Sequence, residues 1–350
     1  MNLAHAAQLQ PVFDEDHRRM FLEQHGWRID KPVGKDSSIR RYFRVTKGPQ
    51  SAILMETVPD GSPHATPGHA LGDFIRIAEW LRSIGVRAPE IYEINTEQGY
   101  VLLEDFGDAC LRDTVEADPS QEAQLYNNAA DILHHIAEQD CPLDLPDYYE
   151  SHVHRRHRRV VDWYVPMTRG RANEEGLVDR YKEVWQEIES SVPPCPQGFV
   201  HVDFHAQNLM VMQNENGLSA LGILDFQGAM IGPSIYDFTN LLEDARRKIS
   251  PSVKAQILDD MDPVQQAWFR IMATQFHCRV IGQFIKQATL DDNEVYLKHV
   301  PRLQSYLHEA VKEPVLKPLK QFFDDCDVDF SGPCDFNVAE LRARVAADAQ

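Results

Sequence analysis

The sequence is short of positive charge. Its 350 residues carry 35 Lys and Arg against 54 Asp and Glu, a formal net charge of −19. A surface so negative repels a phosphate backbone, which argues against a non-specific nucleic-acid binder. Long apolar runs are also missing: no stretch reaches the roughly 18 uncharged apolar residues that a membrane-crossing helix needs. The start, MNLAHAAQLQPVFDED, has no basic segment leading into an apolar core, so no secretion signal is expected. Cysteines are few and scattered, at 110, 141, 195, 278, 326 and 334, with no C-x-x-C pair. That spacing argues against a structural zinc site and a disulfide framework, and fits reduced thiols in a cytoplasmic protein. Cys326 and Cys334 fall in a polar tail, where exposure is expected. Internal repeats and low-complexity tracts are lacking too. What is there is 43% hydrophobic and 25% charged, which excludes wholesale disorder. The length suits one large domain or two smaller ones.

The first third reads as a small sheet with one helix. Residues 38–46 and 51–58 are expected strands, joined into a hairpin by a turn at Lys47-Gly48-Pro49. A loop rich in Pro, Gly and His covers 59–68. Leu71, Phe74, Ile75, Ala78 and Leu81 then fall at helical spacing, with Gly85 placed to end the helix. Residues 91–94 and 100–103 read as two further strands. After Gly107 the pattern turns helical. Ser120 can cap a helix whose stripe is Leu125, Ala129, Ile132, Leu133 and Ile136. Further helices fit 152–164, 174–190, 264–288 and 294–325. One β-rich island interrupts them: a strand at 198–202, then 210–212 and 221–225 around the turn Asn214-Glu215-Asn216-Gly217. The expected architecture is α+β and bilobal, with a ligand cleft between the lobes. An N-terminal lobe would cover 1–104, a connector 105–109, and a helical lobe 110–350.

The chemistry-bearing stretch is 198–228. It contains His201-x-Asp203, with Asn208 five residues after Asp203 and Asp225 closing the apolar run Leu221-Gly222-Ile223-Leu224. Phosphoryl transfer from ATP needs such a set. One carboxylate orients the attacking hydroxyl and can take its proton. A second carboxylate and an amide oxygen hold Mg²⁺, because hard cations choose oxygen ligands. Asp203, Asn208 and Asp225 have the order and spacing of the protein-kinase catalytic loop and its later metal-binding Asp. The pattern alone is weak; the strand that enters it and the apolar strand that delivers Asp225 strengthen it. Without that context, Asp203 could form a turn, Asn208 cap a helix, and Asp225 end a strand.

These motifs resemble the aminoglycoside phosphotransferase/choline kinase superfamily, relatives of the protein kinases. Within it the chain is similar to the bacterial anomeric kinases for N-acetylmuramate and N-acetylglucosamine, which serve cell-wall sugar recycling. The resembling segments are SSIRRYFRV (37–45), AILME (52–56), VLLEDFGD (101–108), HVDFHAQNLM (201–210), ILDFQGAMIGPSIYDFTNLL (223–242) and YLKHVPRLQSYL (296–307). The resemblance implies a protein-kinase-like fold, with a small antiparallel-sheet N-lobe that binds nucleotide and a mostly helical C-lobe. It implies ATP and Mg²⁺ as cofactors, Asp203 as catalytic base, and Asn208 and Asp225 as metal ligands. The hinge would be 101–108, with Glu104 and Asp105 at the adenine. His201 and Asp237 would support the catalytic loop. Three departures stand out: Met55 replaces the usual phosphate-holding Lys, Val202 replaces the Arg of His-Arg-Asp, and Gly228 stands where the sugar kinases have Asp. The sugar kinases share the first loss. Arg40, Arg41 or Arg44, beside the Ser37-Ser38 turn, could then supply the charge, or could be solvated strand-edge residues.

Residues 152–159, HVHRRHRR, form one strongly basic run. A helix there puts Arg155 and Arg159 on one face. They could hold an acceptor carboxylate, as in N-acetylmuramate, or be a solvated face paired with acids. Trp163 and Tyr164 read as core. A rival is a metal-dependent hydrolase using His201, Asp203 and His205, which alternate along an extended segment. It leaves Asn208 and the 221–225 strand unexplained. A third reading is a non-catalytic kinase-like scaffold, suggested by Met55. Phe276, Ile281, Phe284 and Ile285 have helical spacing, and His277 and Cys278 are expected to pack rather than ligate. The function that follows is an ATP-dependent kinase acting on a small-molecule hydroxyl. An amino sugar is the favoured acceptor, with an aminoglycoside or amino-alcohol as the alternative. No nucleic-acid or membrane partner is expected, and the protein would be a monomer or homodimer.

Overall fold

Aromatic and β-branched side chains in RYFRVTK favour extended chain, and the hairpin they start is the centre of a five-stranded sheet. A computed structural model describes residues 13–34, 40–62, 64, 70–332 and 337–348, with side chains up to 343. Two elements precede the hairpin: helix α1 (Glu15–Gln24) and strand β1 (Arg28–Val33). The hairpin is β2 (Arg41–Lys47) and β3 (Gln50–Glu56), with Lys47 opposite Gln50. Helix α2 (Leu71–Ser83) follows, then β4 (Ile91–Asn95) and β5 (Tyr100–Glu104). The sheet order is β1-β2-β3-β5-β4, antiparallel throughout. The sequence concealed α1 and β1 for physical reasons. EDHRRMFLEQ buries little apolar surface beyond Phe21 and Leu22, and RIDKPV is an exposed edge strand that tolerates Pro32.

Packing groups the described residues into two compact units. The first draws on Met1–Gln121, Cys141–Asp144 and Ala206–Ala229; the second on Glu122–Asp140, Leu145–His205 and Met230–Gln350. Packing order therefore does not follow chain order. In the first unit α1 covers one sheet face, where Phe21, Leu22 and Trp27 meet Val45, Leu54 and Tyr100. An ion network pins that helix. Buried Glu56 on β3 accepts from Arg18 at 3.0 Å and from Arg41 Nε at 2.8 Å, and the Arg18 guanidinium lies 4.5 Å over Phe43. The hairpin Leu209–Val211/Leu221–Ile223 joins this unit by backbone bonds: Val211 N–H to Ala109 at 2.7 Å and Ile223 N–H to Arg87 at 2.8 Å.

The second unit is helical around a small ladder of Gln197–Val200 and Met230–Pro233. Its central helix, Pro263–Leu290, starts at a capping box made by Asp262 and Gln265. His277 and Cys278 are buried in it; the His277 ring stacks on Tyr306 at 4.8 Å. Four expectations change here. The helix expected at 152–164 is irregular: α at His152–Arg155, tight at Arg156–Arg158, and a wide π-type turn at Val160–Tyr164. The helix expected at 294–325 is four pieces, because Pro301, Pro314 and Pro318 each lie in the first turn of a new segment. Cys326 is buried rather than exposed, and Cys334 lies outside the described residues. Ser120 does not cap; Asp118 accepts its N–H at 3.1 Å, and the helix runs Glu122–Ala137 with its expected stripe buried. Among the described residues no helix is long and apolar enough to cross a membrane.

Removing one partner of a buried ion pair leaves the other charge desolvated and unpaired. Glu56→Ala is therefore expected to cost about 3 kcal/mol of stability, read as a lowered urea midpoint. An unchanged midpoint would show that Arg18 is already solvated.

Candidate functional site

The first unit contains a pocket of about 240 Å³. Phe74, Leu103, Phe106 and Leu224 give it apolar walls, while Asn208 and Asp225 bring oxygen donors. Gly222 shapes it: a Cβ there would lie 2.5 Å from the Phe106 ring, so the hairpin can press on Phe106 only with glycine at this position. Asp225 follows the hairpin's second strand in a left-handed conformation, φ 65°. Its carboxylate accepts from the Gln227 amide at 2.5 Å and from Asn208 Nδ2 at 3.4 Å, and the Leu224 N–H bonds the Asn208 carbonyl at 2.9 Å. With the Asn208 amide turned over, its oxygen beside the Asp225 carboxylate would be the donor set a hard divalent cation takes, with phosphate and water oxygens completing its shell. The residues present therefore fit Mg²⁺.

Glu104 and Asp105 also line this pocket, but their carboxylates already have partners. Glu104 pairs with Arg87 at 2.6 Å and accepts the Glu90 N–H at 3.2 Å. Asp105 takes Arg44 at 2.7 and 2.9 Å, the Ser51 hydroxyl, and the Gly107 N–H at 2.9 Å. Burial would raise the Asp105 pKa, yet these donors together hold it below the usual carboxylate range. Arg44 donates to Asp108 as well, at 2.9 and 3.0 Å, and both acids raise its own pKa. Among the described residues Arg44 is the cationic side chain that lines this pocket. Arg41 is occupied by Glu56, and buried Arg40 lies 5.9 Å from the Phe74 ring. Met55, in place of the usual Lys, is buried. Ser37 and Ser38 lie outside the described residues.

In the second unit the backbone before Asp203 is held in a strained state. Val202 has φ 78°, a left-handed conformation that costs a β-branched residue about 1–3 kcal/mol. Buried Asp237 maintains it. Its two oxygens accept the His201 N–H at 2.6 Å and the Val202 N–H at 2.9 Å, while Asn240 donates to the Val202 carbonyl at 2.8 Å. Burial lifts the Asp237 pKa to about 7 against the pull of both donors. Both oxygens accept, an arrangement that only the carboxylate satisfies fully.

Asp203 is half-buried and lines a second cavity, about 280 Å³, wholly within this unit. Arg159 lines it too; Arg155 is exposed and does not. The irregular turn accounts for the difference, since regular four-residue spacing is lost between them. Arg156 and Arg279 take the place expected for Arg155. Burial, then the neighbouring Arg156 and Arg279 charges, push the Arg159 pKa down to about 10. A signal for Arg279 was present: Arg279, Gln283 and Gln287 recur every four residues beside the apolar stripe and line the cavity as one helix face. Trp163 is half-buried and Tyr164 buried. Among the described residues no three His, Cys, Asp or Glu side chains cluster as a metal site, which leaves the hydrolase reading of His201, Asp203 and His205 without ligands.

An N-acetylmuramate/N-acetylglucosamine kinase of Caulobacter vibrioides is 29% identical over 329 residues, 83% of this chain and 90% of the relative. Its namesake in Pseudomonas aeruginosa is 31% identical, covering 82% of this chain and 86% of the relative. Among solved structures, a choline/ethanolamine kinase family protein of Mesorhizobium loti matches 88% of this chain and 98% of its own, with a TM-score of 0.59 at 12% identity. A spectinomycin phosphotransferase solved with ADP and spectinomycin matches 87% and 98%, with a TM-score of 0.56 at 11% identity. These two share the fold. The model of the phosphotransferase enzyme family (APH) matches residues 30–271, more than half of the chain, so this protein belongs to that family and carries its kinase-like fold.

Proposed function

We propose that the chain transfers the γ-phosphoryl group of ATP to the anomeric hydroxyl of N-acetylmuramate or N-acetylglucosamine, in the recycling of cell-wall sugars. The observation that carries this reading is sequence identity of about 30% to kinases of that name across most of both chains. The paired Asn208 and Asp225, and the cavity that Asp203 shares with four arginines, support it. The division of labour would place nucleotide binding in 1–104, a connector at 105–109, and catalysis and acceptor binding in 110–350 with the loop 198–228. A cytoplasmic location follows from the need for ATP and suits the free cysteines.

Asp203 would orient the acceptor hydroxyl and accept its proton as the new P–O bond forms and ADP departs. The anomeric hydroxyl is the most acidic in the sugar, which eases that transfer. Asp225 and Asn208 would hold Mg²⁺, whose role is to neutralise phosphate charge. Backbone groups of 101–108 and the apolar walls would hold the adenine, with Arg44 as the nearby positive charge where Met55 replaces Lys. Ser37, Ser38, Arg40 and Arg41 would border the phosphates.

Purified protein should consume ATP with N-acetylmuramate and N-acetylglucosamine, not with choline or kanamycin, and EDTA should stop it. Turnover of choline or kanamycin alone would move the protein to another acceptor class; failure to bind Mg-ATP in a thermal-shift titration would make it a scaffold. Asp203→Ala should lower kcat at least about 100-fold with an unchanged melting curve, and wild-type turnover would remove Asp203 from the chemistry. Asp225→Ala should abolish turnover, and an unaltered magnesium dependence would refute its role as ligand.

A further inference from the structure

We propose that Arg156, Arg159 and Arg279 form a carboxylate-recognition subsite that makes the protein prefer acceptor sugars carrying an acid group. The inference rests on the reading of the chain as an amino-sugar kinase and names the residues that choose between its acceptors.

The three side chains line the same cavity as Asp203, within one packing unit. They reach it from two segments. Arg156 and Arg159 come from the irregular stretch after His152, and Arg279 from the long central helix. Those segments are fixed against each other by close backbone approach. A Cβ at Gly282 would lie 2.2 Å from the Arg159 carbonyl oxygen, so the helix packs this tightly only because residue 282 is glycine. Arg159 donates to Gln283, one turn beyond Arg279 on the same helix face.

Arg159 and Arg279 are half-buried and Arg156 is exposed; like charges gathered in one cavity repel one another, at a cost that burial increases. The nearby acids are mostly engaged elsewhere, and Asp162 offsets the Arg159 charge only in part. Asp162 is bonded to Arg158 at 2.9 Å, and Asp244 accepts from Arg246 at 3.4 Å. Among the described residues neither Arg156 nor Arg279 has a carboxylate within ion-pairing distance. The cavity thus holds three guanidinium groups against the single charge of Asp203, with the Asp244–Arg246 pair neutral overall. Guanidinium is the group that grips a carboxylate with two parallel bonds. N-acetylmuramate differs from N-acetylglucosamine by an ether-linked lactyl group that ends in such a carboxylate. The acid would meet the arginines; the neutral sugar would leave them to water.

The test is equilibrium binding by calorimetry, without ATP, of both sugars to the full chain and to Arg156→Gln, Arg279→Gln and Arg279→Lys variants. Wild type should bind N-acetylmuramate at least about tenfold more tightly than N-acetylglucosamine. Each Gln variant should lose most of that ratio, and Lys at 279 should restore part of it, which a merely structural role would not do. Equal wild-type affinities, a ratio untouched in both Gln variants, or equal loss for both sugars would overturn the inference. Phosphate transfer is scored separately. N-acetylmuramate held through these arginines but never phosphorylated would contradict the kinase reading and leave the subsite standing. Both sugars phosphorylated with no preference for the acid would do the reverse.

Discussion

A single buried carboxylate constrains the loop that carries Asp203. Asp237 binds two successive backbone N–H groups, and with Asn240 it keeps Val202 in a conformation that valine avoids. The direction in which Asp203 leaves the chain is set by that peptide. The usual arginine of the kinase motif is absent at 202, so the loop relies on backbone recognition rather than on a side-chain ion pair there. Asp225 is also left-handed, placed by the hairpin that delivers it. Both acids proposed for the chemistry thus depend on backbone that the surrounding fold must over-determine.

Charge is used in two ways in this molecule. In the sheet unit, ionic groups are closed on themselves. Glu56 fastens α1 through Arg18, and Arg44 is gripped by Asp105 and Asp108. These networks position chain, and they explain why Glu104 and Asp105 line the pocket with their carboxylates already bonded. In the helical unit Glu243 is likewise closed by Lys254 and Arg270, but one cavity differs. Three arginines crowd one cavity without carboxylate partners among the described residues, which is costly for folding and useful for an anionic ligand.

Much of the fold was legible because its signals are local. The β2–β3 hairpin, α2, the two later strands and the buried stripe of Glu122–Ala137 follow from periodicity and turn residues. The order of Asp203, Asn208 and Asp225, set between strands, was legible as a pattern. Features set by tertiary context were not. α1 and β1 expose most of their surface and show little amphipathic period. The tight segment Arg156–Arg158 leaves no local signal in a run of basic residues, so a regular helix wrongly paired Arg155 with Arg159. Arg279 looked like one polar residue in a core helix until the cavity showed what its face meets.

The account reduces to one claim: a kinase-like fold whose base acts on the most acidic hydroxyl of an N-acetylated amino sugar. Phosphorus NMR of the product formed from ATP and N-acetylmuramate tests it most directly. The account predicts a phosphate coupled to the anomeric proton, a sugar 1-phosphate. A phosphate coupled to the C6 methylene protons would contradict it.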